Sequence, residues 1–369
     1  MARRSRNPFL SRAFQRTLGS LARTAVRTGS TVVARALRAA PAAPQRSPVL
    51  RSKPRAAAPV RTGMALGAAG VRRYQLYQPS GVRRAERLPL VVMLHGCAQD
   101  AQALATCSRM NRVAALERFL VLYPEQDRLS NVQGCWNWYD TRSGRAQREA
   151  QTIGAVIDQV CRTQPVDPQR IVLAGLSAGA AMAALLATLQ PERFRVLVMH
   201  SGVGPGVAQS QAGALSAMRG RRLAVAAPLH PALVAGVHPK SSAPRSALSA
   251  AGLAVPRADL PALLVIHGSA DHVVAPVNGA EAARHWAARM GAHAAAPRTL
   301  QCGTRYPMIV TDYRRQGRLV VTHCAVSGLG HAWSGGAAGH AYSDPKGPDA
   351  SRMVWAFAAR QFALDRAAQ

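Results

Sequence analysis

Three short segments hold the residue types best suited to chemistry. Ser177 lies in Gly175-Leu176-Ser177-Ala178-Gly179, directly after the apolar run IVLA and directly before an Ala-rich stretch. Asp271 follows the apolar run LLVIHG within HGSADHVV, and His331 lies in SGLGHAWSGG. A Ser hydroxyl attacks a carbonyl only when a base takes its proton, and the base needs a carboxylate to orient it. Ser177 is the expected nucleophile, Asp271 the orienting acid and His331 the base. The order Ser, Asp, His along the chain is one that such a trio takes when a sheet of strands carries it. The chemistry expected is acyl transfer through a covalent acyl-serine.

Each residue has a plainer reading beside this one. G-x-S-x-G arises by chance in about one chain in ten of this length, and a Ser there can simply cap a helix. Asp271 has rivals in Asp312, Asp344 and Asp349, none of which directly follows a buried strand. His272 competes with His331 but stands too close in sequence to Asp271 for the usual geometry. Context favours the catalytic reading of Ser177: a buried strand precedes it and a helix follows, as a nucleophile elbow requires. At a helix N-terminus the backbone N–H groups stabilise developing negative charge. The N–H of Ala178 is one expected oxyanion donor. The second is the N–H of Cys97, in the segment LHGCAQ that ends an earlier buried strand; Gly96 there lets the backbone approach a ligand. His95 is either a support for that loop or a His satisfied at a strand end.

These residues need elements to carry them. The runs PLVVML, RFLVLYP, RIVLAG, VLVMHSG and ALLVIHG are continuously apolar, as strands covered on both faces are. RRYQLYQP alternates like a half-buried strand. Helical stretches are expected around residues 103–117, 148–162, 178–190 and 279–290, with a last one near 350–363. Residues 308–326 read as a hairpin turning at Gln316-Gly317. Strands alternating with helices predict an α/β fold with a mostly parallel central sheet flanked by helices. Residues 204–258, rich in Ala, Pro and Gly, yield no placeable elements.

The chain has 369 residues and a net charge of +30, unevenly spread. Residues 1–85 hold 17 Arg and one Lys with no acidic residue. Residues 1–40 combine Arg with Phe14, Leu18, Leu21 and Ala25 at helical spacing, a basic amphipathic pattern. Residues 41–63, with five Pro, read as a linker without fixed structure. The expected organisation is an arm and linker over 1–63, disordered or loosely helical, and a catalytic domain over 71–364. Basic excess suggests an anionic partner: nucleic acid, an anionic lipid membrane, polyphosphate or an acidic polymer surface. Nucleic acid is disfavoured, because no nucleic-acid motif appears and the arm has few aromatics. No apolar run approaches the roughly 20 residues that span a bilayer. The six Cys form no C-x-x-C pair, which disfavours a zinc ribbon.

LHGCAQ, YPEQ, CWNWYD, GLSAGAAM, HGSADHVV, GLGHAWSGG and SDPKGPDASRMVWAF together resemble the polyhydroxybutyrate (PHB) depolymerase-like esterases of the α/β-hydrolase superfamily, over about residues 71–362. The resemblance implies the α/β-hydrolase fold, the roles given above for Ser177, Asp271 and His331, and no cofactor or metal. It implies hydrolysis of esters, typically short-chain polyhydroxyalkanoates. Feruloyl and acetylxylan esterases are similar enough to stay open. An extracellular or periplasmic location is implied, although a basic arm stands where secreted members carry a signal; a granule-associated cytoplasmic protein is the alternative. A reading of another class is a hydrolase scaffold without activity that binds surfaces through its arm.

Two further expectations concern the site's edge. Trp136, Trp138 and Trp333 fit a polyester groove, against the commoner fate of Trp in the core. Cys97 and Cys135 lie in segments expected at the active-site edge, so a disulfide between them would pin the oxyanion loop; two unrelated buried thiols are the alternative.

Overall fold

A computed structural model describes residues 60–221 and 260–366. Residues 1–40, on which the amphipathic arm is expected, and the segment 222–259 lie outside the described residues.

Thirteen strands and seven α-helices are described. The strands are β1 (Val60–Gly67), β2 (Gly70–Tyr77), β3 (Leu88–Leu94), β4 (Leu120–Pro124), β5 (Val166–Leu176), β6 (Val196–His200), β7 (Ala262–Gly268), β8 (His293–Ala294), β9 (Arg298–Leu300), β10 (Met308–Arg315), β11 (Arg318–Val326), β12 (Trp333–Ser334) and β13 (Ser343–Asp344). The helices are α1 (Ala101–Ser108), α2 (Met110–Glu117), α3 (Arg145–Thr163), α4 (Ala178–Leu189), α5 (Gln211–Met218), α6 (Val277–Met290) and α7 (Ala350–Arg366). None of the described helices is long and apolar enough to cross a membrane.

One large sheet runs in the order β1-β2-β4-β3-β5-β6-β7-β11-β10-β8, with β9 on β10. Its centre, from β4 to β11, is parallel, and antiparallel strands finish both edges. The continuous apolar runs are explained by burial on both faces: every residue of β3, β4, β6 and β7 is buried. Along β3 the side chains alternate between two cores. Leu90, Val92 and Leu94 pack with α3, α4 and α6, while Val91 and Met93 pack with α1, α2 and α7. Helix α4 is apolar all round and is buried from Ala178 to Ala187. This is the α/β-hydrolase architecture, a mostly parallel sheet with helices on both faces.

From β3 the chain moves one way to β4, and from β5 it moves the other way. The carboxyl ends of β3 and β5 therefore flank a topological switch point, where α/β sheets open a crevice. The segments following those strands carry Cys97 and Ser177.

Two expectations need correction. Residues 60–63, read as linker, begin β1, which pairs antiparallel with β2 from Val60–Tyr77 to Gly67–Gly70. Gly63 is a packing residue: a Cβ there would come 2.4 Å from the Tyr74 ring. The sheet thus starts ahead of the expected boundary at residue 71. The single helix expected over 103–117 is two helices, because Arg109 takes a left-handed conformation (φ 55°, ψ 23°) between them. Asp100 caps α1, accepting from the Ala103 N–H at 2.7 Å. The hairpin at Gln316-Gly317 forms as expected, and both residues have positive φ (50° and 76°), as a tight two-residue turn requires.

Candidate active site

Ser177 sits between β5 and α4 with φ 57° and ψ −120°, a conformation costly for any residue with a Cβ. Close packing forces the turn. A Cβ on Gly179 would come 2.2 Å from the Leu94 carbonyl oxygen, and one on Gly175 would come 2.3 Å from the Gly179 backbone. The two glycines of GLSAG therefore let α4 start directly against the ends of β3 and β5. The Ser177 N–H donates to the His200 carbonyl (2.9 Å), and the Ser177 carbonyl accepts from the Ala181 N–H (3.1 Å). The elbow is thereby fixed to β6 on one side and to α4 on the other. Ser177 is only 9% exposed.

Asp271 and His331 come together because the loops after β7 and β11 are joined to each other. The Ser269 N–H donates to the Val326 carbonyl (2.8 Å), and the Ala270 N–H donates to the Leu329 carbonyl (3.0 Å). The Gly328 N–H donates to Ser269 Oγ (2.9 Å). Gly268 permits the crossing, since a Cβ there would come 2.1 Å from the Leu329 oxygen. At the end of this ladder His331 Nδ1 lies 2.8 Å from Asp271 Oδ2. The other carboxylate oxygen, Oδ1, accepts from the N–H groups of Val273 (3.0 Å) and Val274 (2.8 Å). His267 Nε2 stands 3.5 Å from Oδ2 and 2.9 Å from the Val274 carbonyl. Burial opposes ionisation of Asp271. The hydrogen bonds from His267 and His331 outweigh it and hold the carboxyl far below the usual carboxylate range.

His200 links this pair to the elbow. Its carbonyl takes the Ser177 N–H, and its ring Nε2 accepts from the Ser334 N–H at 3.1 Å, three residues beyond His331. The Asp312, Asp344 and Asp349 carboxylates are elsewhere: Asp312 pairs with Arg298 and Thr322 on the edge hairpin, and Asp349 caps the start of α7.

The loop after β3 is held at every turn. Cys97 and Cys135 form a disulfide with Cα atoms 4.3 Å apart. The Ala98 N–H donates to the Gln133 carbonyl (2.8 Å), and the Gly96 N–H donates to Gln99 Oε1 (3.0 Å). His95 is satisfied at the strand end: Nε2 accepts from the Gln126 N–H (3.0 Å), so Nδ1 carries the proton and donates to the Gly96 carbonyl (2.8 Å). Burial pushes its pKa down to about 4, which keeps the ring neutral. A Cβ on Gly96 would lie 3.5 Å from the Ser177 Cβ, so this loop runs directly over the elbow. Neither the Cys97 nor the Ala178 N–H donates to another described group.

Beneath the disulfide lies a buried polar network that the sequence reading did not assign. Gln126 Nε2 donates to Glu149 Oε2 (2.9 Å) and to the Cys135 carbonyl (3.1 Å). The Asn137 N–H donates to the same Glu149 oxygen (3.0 Å), and Arg72 donates to Gln126 Oε1. The available signal was Glu149 itself, a charged residue on the apolar stripe of α3 between Ala146 and Ile153.

Two of the three tryptophans lie wholly in the core. Trp136 and Trp333 are fully buried, and Trp138 is 8% exposed. Trp136 Nε1 donates to the His95 carbonyl (3.0 Å), and Trp333 Nε1 donates to Ser351 Oγ (3.1 Å). Trp138 packs edge-on to Tyr139. For Trp136 and Trp333 the expected contact with substrate is corrected to core packing, where each indole N–H has its polar need met; Trp138 is about as exposed as Ser177. Among the described residues no three His, Cys, Asp or Glu side chains gather in a metal-holding group.

Residues 72–305, more than half of the chain, match the family described as esterase PHB depolymerase. Poly(3-hydroxyalkanoate) depolymerase C of Paucimonas lemoignei is 31% identical over 201 residues, covering 54% of this chain and 44% of that protein. A probable acetylxylan esterase A of Aspergillus clavatus is 26% identical over 234 residues, covering 61% of this chain and 69% of that one. The chain thus spans less than half the length of the first of these relatives. Among solved structures, the acetyl xylan esterase from Aspergillus awamori superposes with a TM-score of 0.56 at 18% identity, covering 73% of this chain and 94% of that one. That likeness is one of fold.

Proposed function

The chain belongs to the PHB depolymerase esterase family, and from that premise we propose that it is a serine carboxylester hydrolase. Ser177 Oγ attacks the ester carbonyl while His331 takes its proton. Asp271 holds the imidazole in the tautomer that presents Nε2 to the Ser, and stabilises the charged ring. The N–H groups of Cys97 and Ala178 receive the oxyanion. His331 then protonates the leaving alkoxide, and water releases the acyl group. No step calls for a cofactor or metal. The observation that carries this reading is the His331–Asp271 hydrogen bond of 2.8 Å, at the same sheet end as the constrained Ser177 turn.

The substrate we propose is a short-chain polyhydroxyalkanoate or its oligomers, following the depolymerase relative. Acetyl esters of xylan are the second reading, favoured by the relatives named acetylxylan esterase; feruloyl esters remain beside it. Residues 1–40 are proposed to hold the enzyme at an anionic membrane or polyester-granule surface. The deciding experiment assays purified protein and Ser177→Ala on 3-hydroxybutyrate oligomers, acetylated xylan and feruloyl esters. The proposal expects turnover of hydroxybutyrate oligomers that Ser177→Ala lacks. Turnover of the other esters alone would move the substrate, and a fully active Ser177→Ala would remove the mechanism. Deleting residues 1–59 is expected to spare soluble substrates and to lower granule hydrolysis at low salt, where charge attraction is least screened.

A further inference from the structure

His200 ends β6 and is completely buried, yet its ring faces the machinery rather than solvent. Its backbone carbonyl receives the Ser177 N–H at 2.9 Å. Its ring Nε2 receives the Ser334 N–H at 3.1 Å. Nδ1 lies 3.3 Å from Ser201 Oγ, and the ring stacks on Trp333 with centroids 5.0 Å apart and planes inclined by 25°. One residue thus touches the turn that carries Ser177 and the strand that follows His331.

We infer that His200 is a positioning residue for the reaction, its unprotonated Nε2 fixing the His331 loop in register with the Ser177 turn. This rests on the serine-hydrolase reading given above.

The geometry specifies the tautomer. Ser334 N–H is a donor, so Nε2 must be an acceptor, and the single ring proton sits on Nδ1 facing Ser201 Oγ. Burial, reinforced by the neighbouring His267 and His331, pushes the ring's pKa down to about 3, so it stays neutral at working pH. The carboxylate of Asp271 also acts on this ring, and favours the charged form only weakly against those effects.

The loop has other anchors, and they reach other elements: the ladder to the β7 loop holds its start, from Val326 to Leu329. Ser334 Oγ donates to the Pro348 carbonyl (2.7 Å), and Trp333 Nε1 donates to Ser351 Oγ (3.1 Å), which itself donates to the Ser108 carbonyl (2.6 Å). Those bonds tie the loop to α7 and α1. Through the Ser334 N–H, the bond to His200 ties it to the strand next to the elbow. Asp271 orients the His331 ring but is carried by β7, two strands from β5. Transfer of a proton from Ser Oγ to an imidazole depends on sub-ångström placement, and a misplacement of about 1 Å costs on the order of a hundredfold in rate.

The test uses the full chain and three readouts. In the wild-type protein, the ¹⁵N shifts of labelled His200 should report a protonated Nδ1 and an unprotonated Nε2 at neutral pH. An Nε2–H tautomer or an imidazolium would overturn the inference without any substitution. His200→Phe keeps a buried ring against Trp333 and loses the acceptor. It should lower kcat about ten- to a hundredfold with KM changed by less than about twofold, and should slow Ser-directed phosphonate labelling in parallel. His200→Gln places an amide oxygen near the Nε2 position and should recover most of that loss. An active His200→Phe, or a folded His200→Gln as slow as His200→Phe, would overturn the role. Ser177→Ala run alongside separates the two readings, because a retained activity there removes the serine mechanism itself rather than His200's part in it.

Discussion

Asp271 Oδ2 and His331 Nδ1 are 2.8 Å apart across sixty residues of sequence, and Asp271 Oδ1 is fully occupied by the N–H groups of Val273 and Val274. The carboxylate is therefore fixed before the imidazole meets it. Asp271→Asn keeps the shape but offers an N–H where an acceptor is needed, and favours the wrong imidazole tautomer. A kcat lower by about 10³- to 10⁴-fold is expected, with a melting temperature that falls far less than the rate does. Steady-state kinetics and a thermal melt on the same sample check both.

The glycines around Ser177 are required by backbone, not by turn freedom. A Cβ on Gly179 would lie 2.2 Å from the Leu94 oxygen and 2.5 Å from the His95 oxygen, neither of which can rotate away. Gly179→Ala should destabilise the fold by about 3 kcal/mol or more. Gly339 has nothing within 4 Å of its Cβ position and only a positive φ, so Gly339→Ala should cost about 1 kcal/mol. Urea unfolding of the two variants makes the comparison.

The disulfide closes a separation of 38 residues and anchors the loop that passes over Ser177. Cys135→Ser should lower unfolding stability by about 2–4 kcal/mol. It should also reduce kcat more than it raises KM, because the Cys97 N–H is placed by that loop. Melting curves with and without reductant, together with kcat for the variant, test the point. Unchanged kcat would detach the loop from catalysis.

Acid should act on this protein through its buried histidines before its carboxylates. Burial pushes His95 and His323 down to about 4 and His200 to about 3. The unfolded chain binds protons at these residues below pH about 6.5, whereas the folded chain does not until pH 3–4. Stability should therefore rise with pH across that window and fall as pH drops from about 6.5 to 4. Asp271, whose folded pKa is depressed, contributes stability present above the ordinary carboxylate range and lost only at still lower pH. Urea midpoints between pH 7 and 4 measure the slope, and His200→Gln should make it shallower.

Much of this was legible in the sequence for one reason: strands buried on both faces read as unbroken apolar runs, and β3, β4, β6 and β7 do so. Asp271 stood out because it follows such a run, and His331 because it follows the last strand of the expected hairpin. Edge strand β1 was hidden, since most of its residues are exposed and its glycines imitate a linker. The break at Arg109 left no trace, as a left-handed Arg has no signature residue. Trp333 misled because its place two residues after His331 says nothing of direction: its ring points inward onto His200. His200 and Glu149 went unassigned because a lone polar residue within an apolar pattern gains meaning only from partners such as Ser334 and Asn137, which the fold supplies.

The most direct measurement is mass spectrometry of the protein after inactivation by a Ser-directed phosphonate. One phosphonyl group on Ser177, gained in step with the loss of ester hydrolysis and absent from His331→Ala over the same interval, is the predicted result. An inactivated protein labelled at another residue, or one that hydrolyses esters with Ser177 fully labelled, would contradict the assignment of Ser177 as nucleophile.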